Sequence, residues 1–169
     1  KAGVILAQAA IMDGKNAAQS QSYGPEARGG ASKSEVIISD SDIMFPKARE
    51  LNILLALTQQ SCDKYYADLK SGALLIVDST QVLQPPNILD LELAEFPITE
   101  EALKVGNIMT ANIIGLAIIC ELTKIVSKAS LKKAVENNVP QRFIDINGKA
   151  LNAGYRLARN YLKLLDEGK

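Results

Sequence analysis

A chain of 169 residues with 47% hydrophobic content is long enough for one compact domain with a substantial core and too short for two. Nineteen basic residues balance nineteen acidic ones without a long run of either sign, which excludes the electrostatic footprint of a nucleic-acid or anionic-membrane binder. The absence of histidine excludes the Ser-His-Asp triad, the Cys-His dyad, HExxH zinc sites and every other His-ligated metal centre.

Residues 1–169 read as a single domain. Residues 3–13 are small and aliphatic nearly all round, which predicts a well-covered helix stopped by Gly14. "NAAQSQS" at 16–22 and "KSEVIIS" at 33–39 read as short strands, the second rich in β-branched residues. Between them lies "SQSYGPEARGG" at 20–30, a hairpin-like excursion. Turn chemistry accounts for Gly24-Pro25 and Gly29-Gly30 but not for Tyr23, Glu26 and Arg28. A β-α-β unit follows, with a strand at 51–57, a helix opened near Thr58 and closed by Gly72, and an apolar strand at 73–77. A right-handed crossover makes these strands parallel, in a sheet covered on both faces. Thr58, Gln59 and Gln60 sit at the carboxyl end of the first strand, where such sheets hold ligands; helix capping is their plainer role.

After Pro85-Pro86, "ILDLELAEF" at 88–96 reads as an edge or half-exposed strand because acids alternate along it. Thr99 is expected to cap a short helix over "EEALKV" that stops at Gly106. The most apolar segment, 107–125, is interrupted by Thr110, Asn112 and Glu121 and falls short of the roughly 20 apolar residues of a membrane span, so it reads as a buried helix. Ser130 is expected to cap "LKKAVENN", and Asn147 to open a last helix with Leu151, Tyr155, Ala158, Leu162 and Leu165 on one stripe. The fold class is α/β: a three-layer domain with a mostly parallel central sheet, a mixed sheet being the alternative.

The sequence holds no complete active site of a recognisable kind. "YGPEARGG" precedes a strand rather than a helix, so it is not a phosphate loop. "DGKN" at 13–16 has the Asp-Gly opening of a thiamin diphosphate and magnesium site but no downstream Asn-Asn partner, and a helix stop explains it. The pairs Glu92/Glu95 and Glu100/Glu101 fit solvation and capping. Cys62 and Cys120 are fifty-eight positions apart, without iron–sulfur, zinc or disulfide spacing, which favours a reducing cytoplasm; Cys62 reads as a small buried hydrophobe. No signal peptide precedes the fold in this sequence.

"QSQSYGPEARGGASKSEVIIS", "NILLAL", "GALLIVDS" and "GNIMTANIIGLA", in that order, resemble the γ subunit of 2-oxoacid:ferredoxin oxidoreductases, most closely the 2-oxoglutarate (KorC-type) branch, and the equivalent domain III of pyruvate:ferredoxin oxidoreductase. The resemblance implies a multisubunit enzyme that oxidatively decarboxylates a 2-oxoacid, joins the acyl group to coenzyme A as co-substrate and passes electrons to ferredoxin. Thiamin diphosphate, magnesium and iron–sulfur clusters would sit on the partner α, β and ferredoxin-like δ subunits, with no cofactor bound by this chain alone and no activity of its own. By the same resemblance Ser22, Tyr23, Gly24, Glu26, Arg28, Gly29 and Gly30 form a loop that shapes coenzyme A access, and Asn107 and Asn112 mark a helix start facing the partner subunits. Family members open with a strand and a Gly-rich turn ahead of the first helix; this sequence shows neither, and a homodimer is open for the isolated chain. The rival readings are a free-standing nucleotide- or acyl-binding module and a purely structural assembly subunit.

Overall fold

The computed structural model describes residues 1–22, 32–44 and 50–168. Helix α1 (Ala2–Met12) leads into the hairpin β1 (Asn16–Ser22) and β2 (Lys33–Ser39). Strand β3 (Leu51–Ala56), helix α2 (Gln59–Tyr65), strand β4 (Leu69–Asp78) and strand β5 (Glu92–Phe96) follow. Four helices complete the order: α3 (Ile98–Val105), α4 (Ala111–Thr123), α5 (Lys128–Asn138) and α6 (Ile144–Glu167).

Strands β3, β4 and β5 form a parallel sheet in that order, and helices cover both of its faces. Successive residues of β4 point to opposite faces, so its unbroken apolar run serves two cores. Leu75 and Val77 join Ala56, Cys62 and Val82 under α2. Ile76 joins the larger cluster with Ile114 and Ile118 of α4, and Leu151 and Ala158 of α6. The three-layer α/β expectation is thus met, with one difference. The antiparallel pair β1–β2, in register from Asn16 opposite Ser39 to Ser22 opposite Lys33, forms a sheet of its own instead of mixing with the parallel one.

Several element ends depart from the sequence expectations, each for a local reason. Helix α2 stops at Tyr65, and Gly72 lies inside β4 with φ of 72°, not at a helix end. There the pairing jumps from Leu51 opposite Leu69 to Ile53 opposite Leu74, an irregularity that a glycine with positive φ accommodates. Strand β5 begins only at Glu92, because Leu91 N–H closes a turn onto the Ile88 carbonyl at 3.2 Å.

Caps also come from residues other than those expected. Thr99 does not cap α3; its N–H and hydroxyl both donate to Asp78, which is wholly buried at the end of β4. Helix α5 is capped by Ser127, whose hydroxyl accepts from Ser130 N–H at 3.1 Å, so Ser130 is one turn inside. Helix α6 starts at Ile144, and Asn147 lies within it, donating to the Phe143 carbonyl at 2.8 Å. Leu151, Tyr155 and Ala158 are buried as the stripe predicts, whereas Leu165 is 42% exposed where α6 outruns the core.

Asp13 closes α1 and holds α5 from outside: its carboxylate accepts from Ser127 N–H, Ser127 Oγ at 2.7 Å and Ser130 Oγ at 2.6 Å. Burial alone pushes this carboxyl up, but those hydrogen bonds outweigh it and hold Asp13 below its ordinary value of 3.8. Burial likewise opposes ionisation of Glu121, and hydrogen bonds from Lys128 and Lys124 reverse the balance. Both groups bind protons less tightly folded than unfolded, so their stabilisation is present above the unfolded values and lost as pH falls through the folded ones. The melting temperature is therefore expected to fall below about pH 4, and Asp13→Asn to flatten that acid limb; a pH series of thermal melts checks both.

Candidate functional site

A cleft of about 1180 Å³ separates the hairpin from the parallel sheet. It is lined by consecutive residues 33–38 of β2 and 51–55 of β3. Consecutive lining means that strand edges, not faces, border the space, since a face offers every second residue. Among the described residues β3 pairs only with β4, and β2 only with β1, so both open edges meet this cleft. Leu6 of α1 and Leu116 and Ile119 of α4 give it an apolar floor.

The polar groups enter from the carboxyl end of β3 and from α4. Thr58 caps α2, accepting from Ser61 N–H at 3.2 Å, as its plainer role predicts, and Thr58, Gln60 and Ser61 line the cleft. Gln59 serves elsewhere: its side chain makes a two-way pair with the Gln84 backbone, at 2.9 and 3.0 Å. On the other wall, Lys33 pairs with Glu35 at 2.7 Å and lies 5.3 Å from the centre of the Tyr65 ring. The Glu35 hydrogen bond is the main reason the Lys33 ammonium is held above its ordinary value.

Asn112, in the first turn of α4, lines the cleft with a buried Oδ1 that has no hydrogen-bond donor among the described residues. Gly115, one turn on, lets α4 approach the sheet: a Cβ there would lie 2.5 Å from Leu55 Cδ2. Asn107 has a different surrounding. Its Oδ1 accepts from Met109 N–H at 2.9 Å and caps the 3₁₀ turn before α4, so that oxygen serves an internal bond. Ser22 ends β1 opposite Lys33, and Tyr23, Gly24, Glu26, Arg28, Gly29 and Gly30 lie outside the described residues. Both stems of that loop, Gln21 and Ser32, line the cleft.

Neither cysteine has the setting of a nucleophile. Burial pushes the Cys62 thiol up, with Asp63 adding to it, and burial does the same at Cys120. Among the described residues no cluster of three or more His, Cys, Asp or Glu side chains has the arrangement to hold a metal ion. Two buried acids organise the fold: Asp78, which sequence reading passed over, and Glu101, which solvation and capping do not explain because it is buried. Asp78 accepts from Thr80 N–H as well as Thr99, and Glu101 pairs with Arg156 and Lys104. The run Asp78-Ser79-Thr80 after an aliphatic strand is an Asx-turn signal that would have found the first.

The pyruvate ferredoxin/flavodoxin oxidoreductase family model matches residues 1–157. The chain belongs to this family. It is 45% identical over 164 residues to a 2-oxoglutarate synthase subunit KorC of Methanocaldococcus jannaschii, covering 94% of this chain and 86% of that one. It is also similar to the solved γ subunit of a keto/oxoacid ferredoxin oxidoreductase of Geobacter sulfurreducens, at 49% identity and a TM-score of 0.83, over 94% of this chain and 90% of the other. The 2-oxoglutarate:ferredoxin oxidoreductase of Magnetococcus marinus, solved with 2-oxoglutarate, coenzyme A and succinyl-CoA, shares the fold at 17% identity and a TM-score of 0.86. That match covers 94% of this chain and 28% of the longer one. The resemblance carried by those sequence segments is thus to the family that residues 1–157 match, and the chain is an oxidoreductase subunit. No helix among the described residues is long and apolar enough to cross a membrane.

Proposed function

We propose that the chain is the γ subunit of a 2-oxoglutarate:ferredoxin oxidoreductase and that Asn112, together with the segment Ser22 to Gly30, shapes the approach of coenzyme A to a reaction centre on partner subunits. The observation that carries the assignment is similarity to 2-oxoglutarate synthase subunits along nearly the whole chain. The enzyme's thiamin diphosphate, magnesium and iron–sulfur clusters do not fit the described residues. Cys62 and Cys120 are buried in two different clusters, and the Asp13 carboxylate is already engaged by Ser127 and Ser130. Those groups therefore belong to the α, β and ferredoxin-like δ subunits in this reading, and no chemical step is assigned to residues here.

The test is reconstitution with the partner subunits, following coenzyme A-dependent reduction of ferredoxin with 2-oxoglutarate and with pyruvate. The isolated chain is expected to bind no stoichiometric iron and to turn over no 2-oxoacid, while the assembly prefers 2-oxoglutarate. Activity of the chain alone, or preference for another 2-oxoacid, overturns the assignment.

Arg28 supplies the loop's bidentate anion donor in this reading. Arg28→Ala is expected to raise the KM for coenzyme A by about ten- to a hundredfold with the melting temperature of the free chain unchanged, since loss of a desolvated charged hydrogen bond is worth roughly 1.5 to 3 kcal/mol. Arg28→Lys recovers little, because an ammonium lacks the planar fork. An unchanged KM and normal assembly would return Arg28 to a solvated surface role.

A further inference from the structure

The geometry points to the segment after β4, from Val82 to Asp90, as a preformed docking knob for an apolar, uncharged pocket on another subunit of the oxidoreductase. Leu83 is 79% exposed and Leu89 fully so, with Ile88 at 38% between them. Exposed leucines on a loosely held loop would carry little meaning, but this loop is fixed at both ends. Val82 is buried in the small core under α2, next to the turn that Asp78 holds through Thr80 N–H. Gln59 then binds both the N–H and the carbonyl of Gln84, and Pro85-Pro86 stiffens the chain beyond it. At the far end the Asp90 carbonyl accepts from Gly72 N–H at 2.8 Å, and its carboxylate accepts from Ser71 Oγ. Two leucines are thereby presented at little further ordering cost, the condition under which an apolar contact contributes most to binding.

Charge defines the partner. In a chain in which 22% of residues are charged, none of residues 79–89 is. Depletion of charge around exposed apolar side chains marks the dry centre of an interface, not its wet rim. The occupant is the rest of the enzyme rather than a second copy. In the Magnetococcus marinus oxidoreductase this fold matches 28% of one longer chain, so there it is covalently continuous with further protein. The inference rests on family membership and is independent of the coenzyme A reading, because its readout is assembly and not turnover.

The experiment compares the wild-type chain with the Leu83→Glu/Leu89→Glu double variant and with Leu164→Glu, a control at a 67% exposed leucine of α6. Binding to the co-expressed partner subunits is measured by titration and native mass spectrometry. The double variant is expected to melt with the wild type and to bind about tenfold more weakly, or worse, for each leucine, while the control binds normally. Unchanged assembly of the double variant, or equal weakening by the control, overturns the proposal. So does a wild-type homodimer that the double variant dissociates, since the knob would then serve a second copy. Should the glutamates prevent folding, Leu83→Ser/Leu89→Ser is read by the same criteria.

Discussion

Gly154→Ala is expected to lower the stability of the chain by about 1 to 3 kcal/mol, although alanine is the better helix former by about 1 kcal/mol. The reason is the crossing of α4 and α6. A Cβ at residue 154 would lie 2.4 Å from the Ile114 carbonyl oxygen and 2.6 Å from Ala117 Cβ. The first of these atoms is backbone and cannot rotate away, so the helices must separate. Separation loosens Ile114, Ala117, Ala150 and Ala158, all wholly buried in the main core. For a chain of this size the loss corresponds to a fall in melting temperature of roughly 2 to 12 °C. Gly148 supplies the internal control. It lies in the same helix, and a Cβ added there would meet nothing within 4 Å, so Gly148→Ala is expected to raise stability by up to about 1 kcal/mol. Thermal melts of the two variants check both signs, and a neutral Gly154→Ala would mean that the helix pair is not packed as described.

The elements that sequence reading recovered are those whose signal is local. The hairpin strands, the β-α-β unit and the buried helix over α4 declare themselves by β-branched content or by long, largely apolar runs, signals that each segment carries within itself. Thr99 departs from its expected capping role because its partner is distant, whereas at α5 the cap is local and Ser127, three positions before Ser130, takes it. Thr99 binds Asp78, twenty-one positions upstream, and Asp13 holds Ser127 across 114 positions. The site was legible in part. Asn112 stands out as an amide in an apolar run, and the structure places it on the cleft. Asn107, beside it in sequence, turns its oxygen to its own 3₁₀ turn instead. The cleft itself was invisible, because two open strand edges facing one another across a gap leave no mark in the composition of either strand.

Asn112→Leu is expected to separate stability from function. The Asn112 Oδ1 is buried and has no donor among the described residues, so its desolvation costs the free chain about 1 to 3 kcal/mol without return. Leucine removes that cost and extends the apolar floor formed by Leu116 and Ile119, so the variant should melt at the same temperature as the wild type or higher. Such an acceptor calls for a donor outside the described residues, and the proposed coenzyme A-side face supplies the setting for one. In the assembled oxidoreductase the same variant should reduce coenzyme A-dependent turnover by about tenfold or more, the weight of one buried hydrogen bond left unmade. Asn112→Asp, which keeps the acceptor and adds charge, is expected to restore part of that activity while destabilising the free chain, because an unpaired carboxylate is costlier to bury than an amide. Melts of the lone subunit beside kinetics of the complex distinguish the two roles. A destabilised Asn112→Leu chain with normal kinetics once assembled would place the amide in the fold and not in the site.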